Sequence, residues 1–217
     1  MVQEFIAILF RDPFAVMNAV GLIAFAFVGS SKAIREEFDL FGIVIVGLAM
    51  AFAGGVTRDL LVIRVPLALQ APLEIGLALL GAGLAIALSI VLSSPETHPV
   101  VVSDAIGLAA FATTGAIVAT EASVSAFGVV AVATINAVGG GAVADILLDR
   151  SPFILFEDFY ASCAVLGGIG YWVVTQLGAS GSIAAVVCAV VTVGTRLAAV
   201  RYDWDLPTVR NVGSKSD

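Results

Sequence analysis

Apolar stretches of about 20 residues alternate with short polar breaks along almost the whole chain. They form seven segments, at about 14–31, 40–63, 73–92, 100–120, 124–148, 159–177 and 181–200. A helix of about 20 apolar residues is long enough to cross a hydrocarbon core about 30 Å thick. All seven prolines fall at segment boundaries, where a missing backbone N–H costs least. The pattern therefore predicts an all-α membrane protein with seven transmembrane helices in one membrane domain, 1–207, and a flexible cytoplasmic tail, 208–217.

Composition agrees with the membrane prediction and removes other classes of function. Hydrophobic residues make up 60% of the chain and charged residues 12%, against roughly 25% charged residues in soluble domains. The net charge of -7 leaves no basic face to bind nucleic acid. His98 is the single histidine and lies in a proline-flanked loop, and both cysteines lie within apolar segments. With no metal-ligand cluster and no Ser-His-Asp grouping in the sequence, we expect no cofactor and no enzymatic activity.

The chain contains an internal repeat. Residues 18–66 align without a gap onto residues 104–152, and 19 of the 49 aligned positions are identical. The identities include glycine, aspartate, arginine and proline, which a shared apolar composition does not explain. Segments 1–3 therefore form a first repeat at 13–92 and segments 4–6 a second at 100–177. The seventh helix, 181–200, stands outside both repeats.

The repeat also predicts how the two halves sit in the membrane. A unit of three membrane-crossing helices ends on the opposite side from where it begins, so the second unit must be inserted upside down relative to the first. This predicts an inverted three-plus-three repeat with a pseudo-two-fold axis in the membrane plane. We count three basic residues on the face of the N-terminus and seven on the other face. The N-terminus is therefore expected outside and the C-terminus in the cytoplasm.

Two glycine-rich stretches occupy corresponding positions, Ala53–Leu61 in the first repeat and Gly139–Leu147 in the second. Glycine pairs in a membrane helix permit a kink or a close approach of two backbones, and helix packing is the ordinary role of a single pair. Here the pair recurs at positions related by inversion, near the bilayer midplane, where inverted-repeat proteins hold a permeation or binding site. We therefore assign five glycines to a candidate ion pathway: Gly54, Gly55, Gly139, Gly140 and Gly141.

The same segments carry polar and charged side chains within the membrane. Arg58, Asp59, Asn136 and Asp145 are expected close to the pseudo-axis. An ionisable group inside a membrane segment costs about 2.5–3.5 kcal/mol on insertion scales and so indicates a function. The alternative is an Arg–Asp pair that only holds two helices together. Because Ala144 occupies the position equivalent to Arg58, one arginine is expected to serve both aspartates, and the formally negative centre favours a cation.

Four further polar residues each admit two interpretations. Asn18 and Asp104 occupy equivalent positions near the starts of helices 1 and 4. N-capping or interface solvation is the commoner role for such residues, but at opposite mouths of a pathway they could attract or repel ions. Thr113 and Thr114 could line the pathway, although hydroxyls in membrane helices more often bond to the preceding turn.

Taken together, these motifs resemble those of prokaryotic members of the trimeric intracellular cation (TRIC) channel family. The resemblance covers residues 13–207 and rests on the two glycine-rich stretches, on the endings Arg64-Val65-Pro66 and Arg150-Ser151-Pro152, and on the run from Gly194 to Pro207. It implies a symmetric homotrimer in the cell membrane, with one pathway per subunit for monovalent cations, favouring potassium. It also implies that helices 2 and 5 bend at their glycines and border the pore. The family often carries Arg-Asp in both halves, whereas this chain has Ala144 in the second.

A secondary transporter of a small solute, such as a small amino acid, is the alternative function. Members of the same sequence group have been described as small amino-acid transporters. Inverted repeats with broken helices are as typical of transporters as of channels. Unitary currents distinguish the two classes, because a transporter gives none.

Overall fold

Seven α-helices run through the residues that the computed structural model describes, which are 11–92, 97–155 and 159–204. They are α1 (Pro13–Arg35), α2 (Leu40–Leu61), α3 (Pro72–Leu92), α4 (Thr97–Glu121), α5 (Ala126–Leu147), α6 (Ala161–Gln176) and α7 (Gly181–Tyr202). Short 3₁₀ turns, Leu67–Leu69 and Phe153–Leu155, follow α2 and α5. Six of the seven helices are long and apolar enough to cross a membrane. The seventh, α6, has 16 residues, which gives a length of about 24 Å.

The turns between helices repeat along with the sequence. Glu37, after α1, has a φ of 58°, and Ser123, its equivalent after α4, has a φ of 56°. Both thus adopt the left-handed conformation that commonly ends a helix. The next helix then begins with an N-cap at equivalent positions, because Asp39 accepts a hydrogen bond from Gly42 N and Ser125 accepts one from Gly128 N. The two halves therefore share local backbone geometry as well as residue identities.

Reciprocal contacts between the halves establish how they are related. The rings of Phe25 and Phe111 meet edge to face, with centroids 5.1 Å apart. A Cβ added at Gly21 would meet the ring of Phe111, and one added at Gly107 would meet the ring of Phe25. These four residues form two equivalent pairs, and reciprocal contacts between equivalent positions require a two-fold axis. The predicted fold class, an inverted three-plus-three repeat with a seventh helix, is confirmed.

The first helix of each repeat lies in the middle of the bundle. Within its most apolar stretch, 67% of the residues of α4 and 50% of those of α1 are buried, against 28% in α2 and in α3. Helix α1 packs against α2, α3 and α4, and α7 packs against α4 and α6. The outer helices present large apolar side chains on their free faces, among them Phe41, Leu80 and Phe127. Such faces suit contact with lipid or with another subunit.

The helix bounds agree with the predicted segments to within a few residues, with one consequential difference. Helix α1 was predicted to end near residue 31 but continues for another turn to Arg35. The extension places Lys32 on the helix, with its side chain 21% exposed and paired inside the bundle. An ion pair offsets the cost of burying a lysine, so the helix can continue past the apolar run. The predicted tail, 208–217, and the predicted domain end at residue 207 lie outside the described residues.

Candidate functional site

Helices α2 and α5 cross backbone against backbone at the two predicted glycine positions. A Cβ added at Gly54 would meet the carbonyl oxygen of Asn136, and one added at Gly140 would meet the carbonyl oxygen of Met50. The position of a Cβ on Gly139 is 3.3 Å from the Cα of Gly54. Helical structure continues through these glycines in both helices. The close approach predicted for the pairs is therefore present and no unwound turn accompanies it, while the predicted bend at the glycines stays a prediction.

Asn136 lies at this crossing and is fully buried. Its Nδ2 donates hydrogen bonds to the carbonyl oxygen of Phe111 at 2.6 Å and to the hydroxyl of Thr114 at 2.9 Å. Its Oδ1 has no hydrogen-bond partner within the described part of the protein. A Cβ on Gly55 would be 4.0 Å from this oxygen and 3.9 Å from Nη2 of Arg58. A buried hydrogen-bond acceptor without a partner lowers the stability of the fold, and this one lies next to Gly55.

The two predicted threonines bond within their own helix. The hydroxyl of Thr113 donates to the carbonyl oxygen of Ala109 at 2.8 Å, and that of Thr114 donates to Phe111 at 3.2 Å. Both residues are fully buried in α4. Thr114 nevertheless reaches the crossing, because its hydroxyl accepts the bond from Asn136. A place for Thr113 beside an ion pathway stays a prediction.

Arg58 and Asp59 form a buried ion pair at one end of the bundle. Nε and Nη2 of Arg58 both lie 2.7 Å from Oδ1 of Asp59, and the two side chains are 3% and 6% exposed. Oδ2 of Asp59 accepts a hydrogen bond from the backbone N–H of Leu67 at 2.9 Å. The pair borders a cavity of about 450 Å³, also lined by Phe14 and Val118, which we call the Arg58 cavity.

Asp145 lies at the opposite end of the bundle and has a different cation. Its Oδ1 is 2.8 Å from Nζ of Lys32 in α1, a residue 113 positions away in sequence. Its Oδ2 accepts a hydrogen bond from the backbone N–H of Phe153 at 3.0 Å. The expectation that Arg58 serves both aspartates is therefore wrong. Asp59 and Asp145 occupy equivalent positions near the C-terminal ends of α2 and α5. Because the two repeats are inverted, these ends lie near opposite faces of the membrane.

Lys32 borders a second cavity, of about 380 Å³, which we call the Lys32 cavity. Gly141 and Met50 lie at its inner end, and its basic lining residues are Lys32, Arg35, Arg150 and Arg196. Three of these have identified ionic or ring contacts: Lys32 with Asp145, Arg150 with Glu36, and Arg196 with the ring of Tyr160, 4.7 Å from its centroid. Local carboxylates thus pair with Lys32 and with Arg150, and Arg196 lies against an aromatic ring.

A pair of polar contacts lies beside the two cavities at equivalent positions. Nδ2 of Asn18 donates a 2.5 Å hydrogen bond to Glu74, and the hydroxyl of Tyr160 donates a 3.0 Å bond to Asp104. N-capping is wrong for both Asn18 and Asp104, because Asp12 is the N-cap of α1 and Asp104 lies inside α4. The Tyr160 hydroxyl is thus the donor to the Asp104 carboxylate, as the Asn18 amide is the donor to that of Glu74.

Sequence reasoning missed several members of the site: Lys32, Glu74, Tyr160 and Arg196. Glu74 and Tyr160 are separated by the same number of residues as Asn18 and Asp104. Extending the repeat alignment past Pro66 would have paired them, although the two residue types differ. Lys32 carried a weaker signal, because its partner lies in the other repeat.

Comparison with known proteins finds related membrane proteins that match most of the chain. A family described as glycine transporter matches residues 15–89 and again 101–176, which coincide with the two repeats. The UPF0126 membrane protein YvgT of Bacillus subtilis (strain 168) is 34% identical over 193 residues, which are 88% of this chain and 94% of that protein.

Solved structures extend this similarity to the fold. A structure that describes conductance through TRIC cation channels has a TM-score of 0.83 and 34% identity, over 90% of this chain and 96% of that one. The TRIC trimeric intracellular cation channel orthologue from Rhodobacter sphaeroides has a TM-score of 0.83 and 26% identity, over 89% of this chain and 100% of that one. Sequence and fold therefore point to one group of proteins.

Proposed function

This chain belongs to the family that sequence comparison describes as glycine transporters and structural comparison as TRIC cation channels, and we propose that it forms a monovalent cation channel. Potassium is the favoured ion. The protein works as a homotrimer in the cell membrane, with one pathway in each subunit. It carries out passive permeation and no chemical reaction.

The arrangement of the two cavities is the observation that carries this proposal. The Arg58 cavity and the Lys32 cavity lie at opposite ends of the bundle, on either side of the α2–α5 crossing. A narrow crevice lined by Asn18, Glu74 and Gly55 adjoins Arg58 and Asp59. The proposed pathway runs from the Arg58 cavity past Gly55 and Asn136 to Gly141 and the Lys32 cavity. In this proposal the pathway is closed in the present conformation, because the two backbones meet at the crossing between the cavities.

Carboxylates that could attract a cation lie at both ends of this route. Asp59 and Glu74 lie at one end, and Asp104 and Asp145 at the other. The open Oδ1 of Asn136 between them is an oxygen ligand of the kind that a partly dehydrated alkali cation requires. Each cavity also contains basic groups, so access is controlled by how these groups are held by their carboxylates.

The trimer and the orientation complete the proposal. Exposed apolar residues on α2 and α5, such as Phe41 and Phe127, would be covered by neighbouring subunits or by lipid. The excess of basic residues near the Lys32 cavity supports a cytoplasmic position for that cavity and an N-terminus outside. Native mass measurement of the purified protein tests the trimer.

Single-channel recording of the purified protein in planar bilayers tests the function. We expect unitary currents whose reversal potential, in a KCl gradient, lies near the potassium equilibrium potential. Addition of glycine should not change these currents. The alternative, a small amino-acid transporter, is suggested by the family description. It predicts labelled-glycine uptake by proteoliposomes without unitary currents, and that combination would overturn the channel proposal.

A further inference from the structure

The two aspartates of the repeat are held in the same way through different residues. In each, Oδ2 accepts the first backbone N–H of the following 3₁₀ turn, from Leu67 at 2.9 Å and from Phe153 at 3.0 Å. In each, Oδ1 faces one cationic side chain, at 2.7 Å for Asp59 and 2.8 Å for Asp145. The acceptor geometry therefore obeys the pseudo-two-fold axis.

The cations themselves do not obey this axis. Arg58 directly precedes Asp59 in α2, whereas Lys32 reaches Asp145 from α1, the first helix of the other repeat. The position equivalent to Arg58 holds Ala144, and the position equivalent to Lys32 holds Val118. Each aspartate thus has two positions from which a cation can reach it, and the two halves use different ones.

Val118 and Ala144 occupy the two equivalent positions that hold no cation, and their surroundings bear on whether a cation could fit there. Val118 lines the Arg58 cavity together with Arg58 and Asp59, so a longer side chain at 118 can extend toward Asp59. Gly141, one turn before Asp145 in α5, lines the Lys32 cavity, and a Cβ added there would meet nothing within 4 Å. Ala144 is fully buried and directly precedes Asp145, as Arg58 directly precedes Asp59.

We propose that Lys32 and Arg58 are equivalent permeation-determining residues that occupy exchanged positions in the two repeats. Each is the cation that contacts the aspartate of its cavity, at 2.8 Å for Lys32 and 2.7 Å for Arg58, and each opposes the passage of permeating cations there. A second cation at one aspartate would add positive charge to that cavity, and removal of the first would leave a buried carboxylate without this partner, which is strongly destabilising. This inference rests on the proposed channel function.

The structure predicts opposite electrical effects for the two single substitutions. Lys32→Val removes one positive charge from the Lys32 cavity, so cation current entering from that face should rise about threefold relative to current entering from the other. That factor corresponds to one unit charge about 7 Å from the ion's path in a water-like dielectric. Arg58→Ala should produce rectification of the opposite sign. Substitution of a residue that only held helices together would lower the stability of the protein and would not produce rectification of opposite sign in the two variants.

Exchange variants provide the decisive test, recorded in planar bilayers with oriented insertion and paired with thermal unfolding in detergent. Lys32→Val with Ala144→Arg should restore symmetric currents and most of the melting temperature lost in Lys32→Val. Arg58→Ala with Val118→Lys should do the same for the first repeat. Lys32→Val with Val118→Lys is the matched control, because its new lysine faces the wrong aspartate and should deepen the rectification.

The possible failures are distinguishable. Absence of unitary currents from the wild-type protein would reject the channel function, and recovery of melting temperature in the exchange variants would still decide the exchange of cations. If the wild-type protein conducts but neither exchange variant restores current symmetry or stability, the proposal is overturned. Failure of both exchange variants to fold would also overturn it, because positions 144 and 118 could then not hold the cation.

Discussion

Gly54 of α2 lies directly against the carbonyl oxygen of Asn136 in α5, with no room for a Cβ between them. Gly140 makes the equivalent contact with the carbonyl oxygen of Met50. In both contacts the obstacle is backbone, which cannot rotate away as a side chain can. The crossing is therefore sensitive to a single methyl group, although each of the two helices continues through it.

Alanine at Gly54 or Gly140 should therefore destabilise the protein. We expect a loss of about 1–3 kcal/mol for each, the usual cost of overpacking. Gly83→Ala in α3 is the matched control, because a Cβ there meets nothing within 4 Å and alanine favours a helix by about 1 kcal/mol over glycine. Melting temperature in detergent measures both effects.

The double variant with leucine at Gly54 and Gly140 should also suppress ion flux in liposomes. Wild-type flux in this variant would show that these glycines serve only helix packing.

The middle of the proposed pathway depends on Asn136. Met50 occupies the equivalent position in the first repeat, so Asn136→Met makes the two halves of the crossing alike and should be tolerated by the fold. Loss of the open Oδ1 should lower unitary potassium conductance about tenfold, the effect of one hydrogen-bond-sized contact of about 1.4 kcal/mol. Met50→Leu is the control, with conductance expected to stay near wild type. Unchanged conductance in Asn136→Met would show that the pathway does not pass this position of α5.

Much of this architecture follows from local pattern. Short stretches of sequence determine the helix lengths, the proline positions and the positions of the glycine pairs. The seven helices and the close approach at Gly54 and Gly140 could therefore be predicted. The inversion followed from counting helices in each repeat. These features need no knowledge of which side chains meet.

The ion pairs depend on long-range packing and were harder to predict. Arg58 and Asp59 are neighbours in sequence, and their pairing could be foreseen. Lys32 belongs to a helix turn beyond the apolar run, and its pairing with Asp145 depends on the packing of α1 against α5. Because a buried carboxylate requires a partner, the sequence predicts that some cation pairs with Asp145. It does not predict whether that cation is Lys32 or one of the nearby arginines.

The hydrogen bond from Tyr160 to Asp104 gives a further test of the symmetric polar contacts. Tyr160→Phe keeps the ring beside Arg196 and removes only the hydroxyl donor, so a half-buried carboxylate loses a partner. We expect a loss of about 1.5–3 kcal/mol, typical of a hydrogen bond to a charged group. Tyr202→Phe is the control, because Tyr202 is 69% exposed. Equal melting temperatures for the two variants would show that Tyr160 contributes through its ring alone.

The inverted orientation can be tested with two loop positions that the repeat makes equivalent. Glu37 follows α1 and Ser123 follows α4, with nearly the same left-handed backbone. Because the repeats are inverted, these two exposed positions should face opposite sides of the membrane. With the N-terminus outside, Ser123 lies outside and Glu37 lies in the cytoplasm.

Single cysteines at these positions give a direct measurement. The native Cys163 and Cys188 are fully buried, so the wild-type protein should stay unlabelled by a membrane-impermeant maleimide and serves as the control. Ser123→Cys should react in intact cells, whereas Glu37→Cys should react only after the membrane is permeabilised. Labelling of Glu37→Cys alone in intact cells would reverse the orientation and place the Lys32 cavity outside. Labelling of both variants in intact cells would contradict the inversion itself, since equivalent loops of a parallel repeat lie on the same face.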